Sequence, residues 1–354
     1  MNIYVLDKNF NLVTLIDEYI SIIWTRRYFT YGDFELYLSA TKSNLDTLQQ
    51  GYYLVREKDV TVTEYRNVMI ISSRKITTDE QNGDNLTVTG FCLKSILKRR
   101  VVAEQTNLNG QIAACIRQLV TENIISPTVS ARAISNFTLG TDSITLTDSM
   151  QMQITGDNLS DAITEICTTY GLGYDIYISG SNFVFYLYQG ADRSYNQAVN
   201  PHVVFSTEFD NLISSEYVNN RDNYANVAVV AGEGEGTARK KVTVGTASGL
   251  ERLEIWVDAR NASTNDGEIT EAEYNQMLAQ DGVEALAETD ITTAFSGEID
   301  NSVNYTYGVD YFLGDLVQIE NDYNISAATR IIEVIDSEDD SGANLILTFS
   351  EMEV

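Results

Sequence analysis

Histidine, cysteine and proline are all scarce in this chain of 354 residues. The single histidine, His202, excludes a histidine-rich metal centre, and its surroundings (VNPHVVF) offer no nucleophile for a Ser-His-Asp or Cys-His device. The three cysteines, Cys92, Cys115 and Cys167, form no CxxC pair and lie among apolar residues. We therefore expect buried free thiols, not a disulfide framework or a zinc site. Only two prolines are present, which argues against Pro-rich linkers.

Long apolar runs are also missing. No run approaches the roughly 20 residues that a membrane-spanning helix needs, and the N-terminus, MNIYVLDKNFNLV, lacks the basic and apolar regions of a secretory signal. We expect no stable membrane insertion and no Sec-type export.

Positive charge is scarce, and the shortage is uneven. The formal net charge is −28; residues 1–200 carry 16 basic and 21 acidic side chains, whereas residues 201–354 carry 7 and 30. Such a surface does not bind a nucleic-acid backbone by counterion release. It could instead line a passage through which nucleic acid slides without adhering.

The chain is rich in tyrosine, with 21, and its apolar residues predict a β-rich α+β protein. Residues 1–100 alternate as strands do, with a short helix predicted over residues 41–50. Residues 101–203 are predicted as an α+β unit, with helices over residues 109–123 and 158–170 followed by a hairpin. Residues 204–354 return to β structure, interrupted by a helix at 270–288 with Thr270 as N-cap and Glu273 as its capping-box partner.

The segment GEGEG, residues 232–236, looks like a phosphate loop but lacks the parts that one needs. A Walker-type loop ends in Gly-Lys-Ser/Thr and opens a helix, whereas here Thr237, Ala238 and Arg239 follow and the next run is strand-like. Glu233 and Glu235 would also repel a bound phosphate. We interpret the segment as a loop between two strands.

The segment ASTNDGEITEAE, residues 262–273, partly matches an EF-hand loop. Asp266, Gly267, Ile269 and Glu273 fit the fifth, sixth, eighth and twelfth positions, but Ala262 stands where the motif requires aspartate. The preceding run reads as a strand and not as a helix. Asp266 and Glu273 are thus weak calcium candidates, and a turn that caps a helix is the better interpretation.

Three further patterns are open to more than one interpretation. The basic run KSILKRR, residues 94–100, suggests a solvated or intersubunit face more than a nucleic-acid patch. The segment TGDNLSDAITEICTTYGL, residues 155–172, resembles the opening of a LysM peptidoglycan-binding module, although helix capping produces the same letters. Carboxylate pairs of the kind that hydrolyse glycosides are bound to occur among 51 acidic residues and have no specificity.

Several segments taken together resemble the siphophage tail hub (tail-associated) proteins, which are related in fold to the baseplate hub of contractile tails. The segments, in order, are YGDFEL (31–36), GYYLVR (51–56), VMII (68–71), LTVTGFCLKSILKRR (86–100), FS (205–206), FDNL (209–212), YANV (224–227), GEGEG (232–236), LERLEIWVDAR (250–260) and DYFLGD (310–315). Each is weak alone, but their order and spacing extend over nearly the whole chain.

This resemblance implies two tail-tube-like β-barrel or sandwich domains with α+β and helical insertions, assembled as a homotrimer. The expected units are a first tube-like domain at 1–100, an α+β insertion at 101–203, a second tube-like domain at 204–236 and 295–354, and a helical insertion at 237–294. The implied partners are the distal tail protein or tube, the tape-measure protein and tip or receptor-binding proteins, with DNA only in transit.

The expected function is that of a structural hub at the virion tail tip, assembled in the bacterial host cytoplasm, which closes or extends the tube and organises the tip for genome ejection. We expect no enzymatic activity, catalytic residue or cofactor, because after the last strand at LILTFS the sequence has no room for the wall-degrading domain that longer relatives carry. The alternative is a peptidoglycan- or glycan-binding or degrading tail protein, and a third hypothesis is a calcium-stabilised adhesin.

Overall fold

The computed structural model describes residues 1–79, 83–264, 267–289, 292–300, 303–323 and 325–352. The strands of the first half are β1 Ile3–Leu6, β2 Leu12–Ile16, β3 Ser21–Arg27, β4 Asp33–Ser39, β5 Tyr53–Arg56, β6 Glu64–Tyr65, β7 Met69–Asp79, β8 Gly83–Cys92, β9 Thr106–Gln111, β10 Phe137–Leu139, β11 Ser149–Ile154, β12 Gly173–Ser179 and β13 Asn182–Tyr188. Those of the second half are β14 Val204–Ser206, β15 Leu212–Asn220, β16 Val227–Ala231, β17 Lys241–Val244, β18 Glu254–Asp258, β19 Thr292–Ile299, β20 Leu316–Glu320, β21 Ser326–Asp339 and β22 Gly342–Met352. The α-helices are α1 Lys42–Thr47, α2 Ile112–Val120, α3 Leu159–Thr169 and α4 Glu271–Glu288.

One open sheet dominates the described part of the chain. It has 13 strands, and its main path runs β15-β19-β22-β21-β3-β4-β8-β7-β5-β1-β2, with β14 and β20 attached beside β21. Strands from the beginning and the end of the sequence meet in its middle, because β3 pairs antiparallel with β21. The two ends of the sheet, β2 and β15, pair on one side only among the described strands.

The prediction of a β-rich α+β fold is confirmed, but no sheet within the described residues closes into a barrel. Closure would require β2 to pair with β15, and the described strands leave both at the rim. The expectation of barrels is therefore wrong for the single chain. Alternation could predict which residues form strands, but it carries no information about which strand lies beside which.

The α+β insertion packs α2 and α3 beside the sheet β10-β13-β12-β6 and the two-stranded antiparallel sheet β9-β11. The predicted helix at residues 158–170 is confirmed: Asn158 is its N-cap, and its Oδ1 accepts a hydrogen bond from Ser160 N at 3.0 Å. The predicted helix at 109–123 starts too early, because Asn109 belongs to β9 and pairs with Gln151 of β11. A π-helical turn follows at Thr121–Ile125.

A second, smaller layer is built from β16, β17, β18 and α4. Strand β16 lies between β17 and β18, and Ala228, Val230, Tyr274, Met277 and Leu278 form a core between this sheet and the helix. The prediction that GEGEG is an inter-strand loop is confirmed, since it connects β16 to β17. The sheet β17-β16-β18 therefore contains residues on both sides of position 236, where the sequence analysis placed a boundary between units.

A buried charge cluster joins the two halves of the large sheet where β3 meets β21. The Asp336 carboxylate accepts hydrogen bonds from Arg56 Nη1 at 2.6 Å, Arg26 Nη2 at 3.0 Å and Lys58 Nζ at 3.3 Å. Arg56 is fully buried, and its Nε bonds to Asp59 at 2.5 Å. Burial alone would raise the pKa of Asp336, but the cations Arg26, Arg56 and Lys58 outweigh it and hold that pKa below its ordinary value.

Tyr28 forms a second junction, between the large sheet and the α+β insertion. Its hydroxyl donates to the carbonyl oxygens of Gly171 at 3.1 Å or Tyr188 at 3.3 Å and accepts from Gly190 N at 3.2 Å. Its ring is fully buried between Gly173 and Gly314, where a side-chain methyl group would overlap it. Both positions therefore require glycine, and Gly314 also has a positive φ of 97°.

Candidate functional site

The weak calcium candidates do not form a cluster within the described residues. Asp266 lies outside them, and Glu273 is engaged in capping α4: its Oε2 accepts from Thr270 N at 2.9 Å and from Thr270 Oγ1 at 2.7 Å. These hydrogen bonds, with that of the Thr270 side chain the largest, hold the pKa of Glu273 below its ordinary value. Across the described parts of the chain no group of three or more His, Cys, Asp or Glu residues is placed to hold a metal.

Whether Glu273 binds calcium is tested by a melting experiment. We expect the melting temperature to be the same in roughly 1 mM calcium chloride and in EGTA, because the Glu273 carboxylate is already occupied. Thr270→Ala should lower stability by about 1 kcal/mol under both conditions through loss of the cap. A calcium-dependent rise in melting temperature that Glu273→Gln abolishes would instead establish the ion site.

The structure also shows the surroundings of the other residues that the sequence analysis singled out. His202 is exposed, and its Nε2 lies 3.0 Å from the carbonyl oxygen of Gln197. All three cysteines are free and buried, as predicted, and burial raises the pKa of the Cys167 thiol to about 12. The LysM-like letters are accounted for by the Asn158 cap of α3.

The structure corrects the prediction for one residue of the basic run at 94–100. Lys94 is only 3% exposed, so the prediction of a solvated or intersubunit face is wrong for it. Its Nζ donates to the carbonyl oxygens of Arg27 at 2.7 Å and Tyr28 at 3.0 Å, and burial lowers its pKa. The 3₁₀ helix Leu93–Arg99 turns Lys94 inward together with its apolar neighbours and leaves Lys98 and Arg99 exposed.

The outward face of the large sheet crosses both halves of the chain. Side chains alternate along β4, so Phe34, Leu36 and Leu38 enter the core while Glu35 is exposed on the other face. The register of the strands aligns the outward residues in two rows across β22, β21, β3, β4, β8 and β7. The rows are Asn344, Ser337, Ile23, Glu35, Thr89 and Ser73, and Gly342, Asp339, Ser21, Tyr37, Thr87 and Lys75.

This outward face is polar but poor in positive charge. Half of the side chains in the two rows carry hydroxyl groups, and the charged ones are Glu35, Asp339 and Lys75. The part of the face that these two rows cover therefore has no cluster of cations that could neutralise phosphates along a nucleic acid. It forms a surface on which a polyanion is neither held by ion pairs nor buried against apolar groups.

The edge strands at the two ends of the main path, β2 and β15, both expose apolar side chains. On β2, Leu12 is 61% exposed and Leu15 is 41% exposed; on β15, Ile213 is 61% exposed and Val218 is 38% exposed. An edge strand with unpaired backbone groups and exposed apolar residues is a template for pairing with another chain. Among the described helices none is long and apolar enough to cross a membrane.

The profile of the Siphovirus ReqiPepy6 Gp37-like proteins matches residues 2–349. The chain belongs to this family. Members of the family are siphovirus tail proteins. No curated protein matches the chain in sequence.

Three solved tail proteins share the fold of this chain along nearly their whole length. The 43 kDa tail protein of prophage MuSo2 from Shewanella oneidensis is 12% identical, with a TM-score of 0.60 over 99% of this chain and 98% of its own. The tail protein from Neisseria meningitidis MC58 is 13% identical, with a TM-score of 0.57 over 99% and 96%. The prophage tail protein gp18 from Listeria monocytogenes EGD-e is 11% identical, with a TM-score of 0.56 over 100% and 96%. At these identities the likeness is one of fold.

Proposed function

We propose that the chain is a structural hub at the tail tip of a phage or phage-tail-like particle. The observation that carries this proposal is the open large sheet, which has one polar, cation-poor face and a free edge strand at each end of its main path. The hub would close or extend the tail tube and organise the tip for genome passage. Membership of a siphovirus tail family and the fold shared with three tail proteins support this role.

Assembly is proposed to be homotrimeric, with the free edges β2 and β15 at the contacts between copies. Three open sheets joined edge to edge would enclose a tube that one chain cannot close. Their unpaired backbone groups and exposed apolar residues would then be covered. The distal tail protein or tube, the tape-measure protein and tip or receptor-binding proteins are the proposed neighbours at the virion tail tip.

The proposed domain organisation has four units, of which the first two share one of their hydrophobic cores. Residues 1–100 form the first tube-like unit and residues 101–203 the α+β insertion. Strands β14, β15 and β19–β22 belong to the second tube-like unit, whose core includes Phe205, Tyr311 and Phe349. Strand β16 packs with β17, β18 and α4, so the helical insertion is proposed to begin before β16 instead of at residue 237.

The role is proposed to be non-enzymatic, and the outward face is proposed to line the path of the genome. A lumen lined by hydroxyl groups and carboxylates would let DNA slide, because no counterions are released on contact. DNA would be a passenger and not a bound partner.

Arginines on the outward face provide the functional test. Glu35→Arg combined with Ser73→Arg adds three positive charges per chain to exposed strand positions and should leave the fold intact. We expect particles that assemble but deliver their genome at least about tenfold less often, because each new phosphate contact must be broken during passage. The measurement is the ratio of delivered genomes to assembled particles.

The matched control adds the same charge elsewhere. Glu251→Arg with Gln276→Arg alters two exposed residues of the helical insertion and should leave delivery unchanged. Light scattering on the purified protein should give the mass of three chains, and electron microscopy of tails should show a ring. A monomer at high concentration with no ring in tails, or equal delivery by both variants, would reject the proposal.

A further inference from the structure

Helix α4 is packed on two sides, and the two sides differ chemically. One side is apolar: Tyr274, Met277 and Leu278 are buried against the sheet β16–β18. Gly282 lies on this side, where a side-chain methyl group would overlap Val230 and Val244, so the helix approaches the sheet closely. The other side faces α3 and β11 of the α+β insertion. Helix α4 therefore connects two units of the chain.

The side of α4 that faces α3 and β11 carries carboxylates. Asp281 and Glu284 line a groove of about 340 Å³ between α4, α3 and β11, together with Glu165, Glu288 and Asp157. Glu284 is only 1% exposed and Asp281 is half-buried, whereas the other three are exposed at the rim. We call Asp281, Glu284 and Glu165 the acid contact.

The residues around the acid contact supply hydrogen bonds but no cation. Glu284 Oε1 accepts from Gln280 Nε2 at 3.0 Å, and the same nitrogen lies 2.5 Å from the hydroxyl oxygen of Tyr170, which follows α3. A chain of three polar groups thus links the two units. An ionised pair of carboxylates placed there would be held apart from water with only neutral partners.

The charged groups on the neighbouring elements do not neutralise the acid contact. Helix α3 contributes Glu165 and the outward Asp161, with Asp157 in the turn before it, while β11 and β16 contain no charged residue. The carboxylate of Asp258 on β18 is already paired with Arg239 and Arg260, and Lys241 of β17 points to the other face of its sheet, over the Trp256 ring.

Burial therefore favours the protonated acids. It raises the pKa of Glu284 to about 8, with the neighbouring Glu165, Asp281 and Glu288 adding to the shift and the Gln280 hydrogen bond opposing it. Burial, with a contribution from Glu165, likewise raises the pKa of Asp281 to about 7. The pKa of Glu165 is also raised, by partial loss of water around its carboxylate at the rim of the groove and by the neighbouring Glu288 and Asp157.

We propose that the acid contact is a proton-controlled latch, which holds α4 and its sheet against α3 and β11 while Asp281 and Glu284 are protonated and releases them when these acids ionise. This regulation goes beyond the structural role of the tail protein. It gives the helical insertion two positions, docked and released, without any change in the core of the large sheet.

The direction of the pH effect follows from the raised pKa values of Asp281 and Glu284. The released state loses its protons near the ordinary values of 4.5 and 3.8, while the docked state keeps them to about pH 8 and 7. Docking is therefore favoured below the ordinary values and is weakened as the pH rises towards 8. Ionisation of Glu284 alone raises the equilibrium constant for release about a hundredfold between roughly pH 6 and pH 9.

Amide hydrogen exchange in β11 and α3 tests the latch. In the wild-type protein, protection of these segments, corrected for the intrinsic rate, should fall at least about a hundredfold between roughly pH 6 and pH 9, because Asp281 adds to the effect of Glu284. In the double variant Asp281→Asn/Glu284→Gln, which keeps shape and hydrogen bonding, protection should be high and independent of pH. Glu251→Gln, an exposed carboxylate elsewhere, should keep the wild-type profile.

Two further measurements make the result decisive. Glu165→Gln changes only the facing helix and should shift release to higher pH, so it tests the latch even where the double variant does not fold. Magnesium or calcium chloride is added to the wild-type protein at about pH 9 in the same assay. The latch is overturned by identical pH profiles for wild type and the Glu165 variant, or by protection that the added metal restores, since a cation and not a proton would then close the contact.

Discussion

Asp336→Asn is expected to destabilise the protein by about 3–5 kcal/mol, the cost of removing the negative charge that faces the buried guanidinium groups of Arg26 and Arg56. Asp336 is 8% exposed and Arg56 is fully buried, so water cannot replace the lost charge. Asparagine has the same shape, which isolates the charge from packing. The free energy of unfolding from urea titration is the measurement, and the midpoint should fall without a change in slope.

An exposed ion pair provides the control for Asp336. The Lys42–Asp46 pair on α1 has side chains that are 88% and 60% exposed, so Asp46→Asn should cost no more than roughly 0.5 kcal/mol. The pH dependence gives a second check. Because the pKa of Asp336 is lowered, its contribution is complete above the ordinary value of 3.8 and is lost as the pH falls through the lower folded value. A variant within about 1 kcal/mol of wild type would show that the cluster is not stabilising.

Tyr28→Ala should lower the free energy of unfolding by about 3–5 kcal/mol. The variant empties the space between Gly173 and Gly314 and leaves the Gly190 N–H without its acceptor. The residue contacts the α+β insertion and the second half of the chain at once, so no single neighbour can move to fill the gap. Thermal unfolding followed by circular dichroism measures the loss.

Tyr28→Phe separates the ring from the hydroxyl. It keeps the ring and removes only the hydrogen bonds to Gly171 or Tyr188 and from Gly190, so we expect a smaller loss of about 1–2 kcal/mol. Equal losses in the two variants would mean that the hydroxyl and not the packing stabilises this junction. Unfolding of the α+β insertion alone in Tyr28→Ala would show that the two units are not coupled there.

Local features of the fold could be predicted from the sequence because their causes are local. The Thr270–Glu273 capping box, the Asn158 cap and the turn after Ala231 are all decided within a few residues. The buried cysteines follow from apolar neighbours in the chain. Helical spacing in α3 and α4 is equally a property of one segment.

The features that bring distant segments together, the outward face of the large sheet among them, are not local, which is why the sequence did not reveal them. Arg56 ends an ordinary strand, β5, and the Asp336 carboxylate that it meets lies 280 residues away in the sequence. Lys94 belongs to a basic run typical of a surface, yet the 3₁₀ turn buries it. Glu284 looks like any acid on an amphipathic helix, because the second surface that covers it comes from more than 100 residues earlier.

The pairing of β3 with β21 also constrains the order in which the chain acquires its structure. Arg27 and Glu333, which bond across these strands, are 306 residues apart, so β3 gains this neighbour only after nearly all of the described chain has been synthesised. Contacts of such long range form slowly because the intervening chain must first be gathered. Until then β3 is an unprotected edge in a nascent chain, which makes the centre of the finished sheet the region most exposed to misassociation during synthesis.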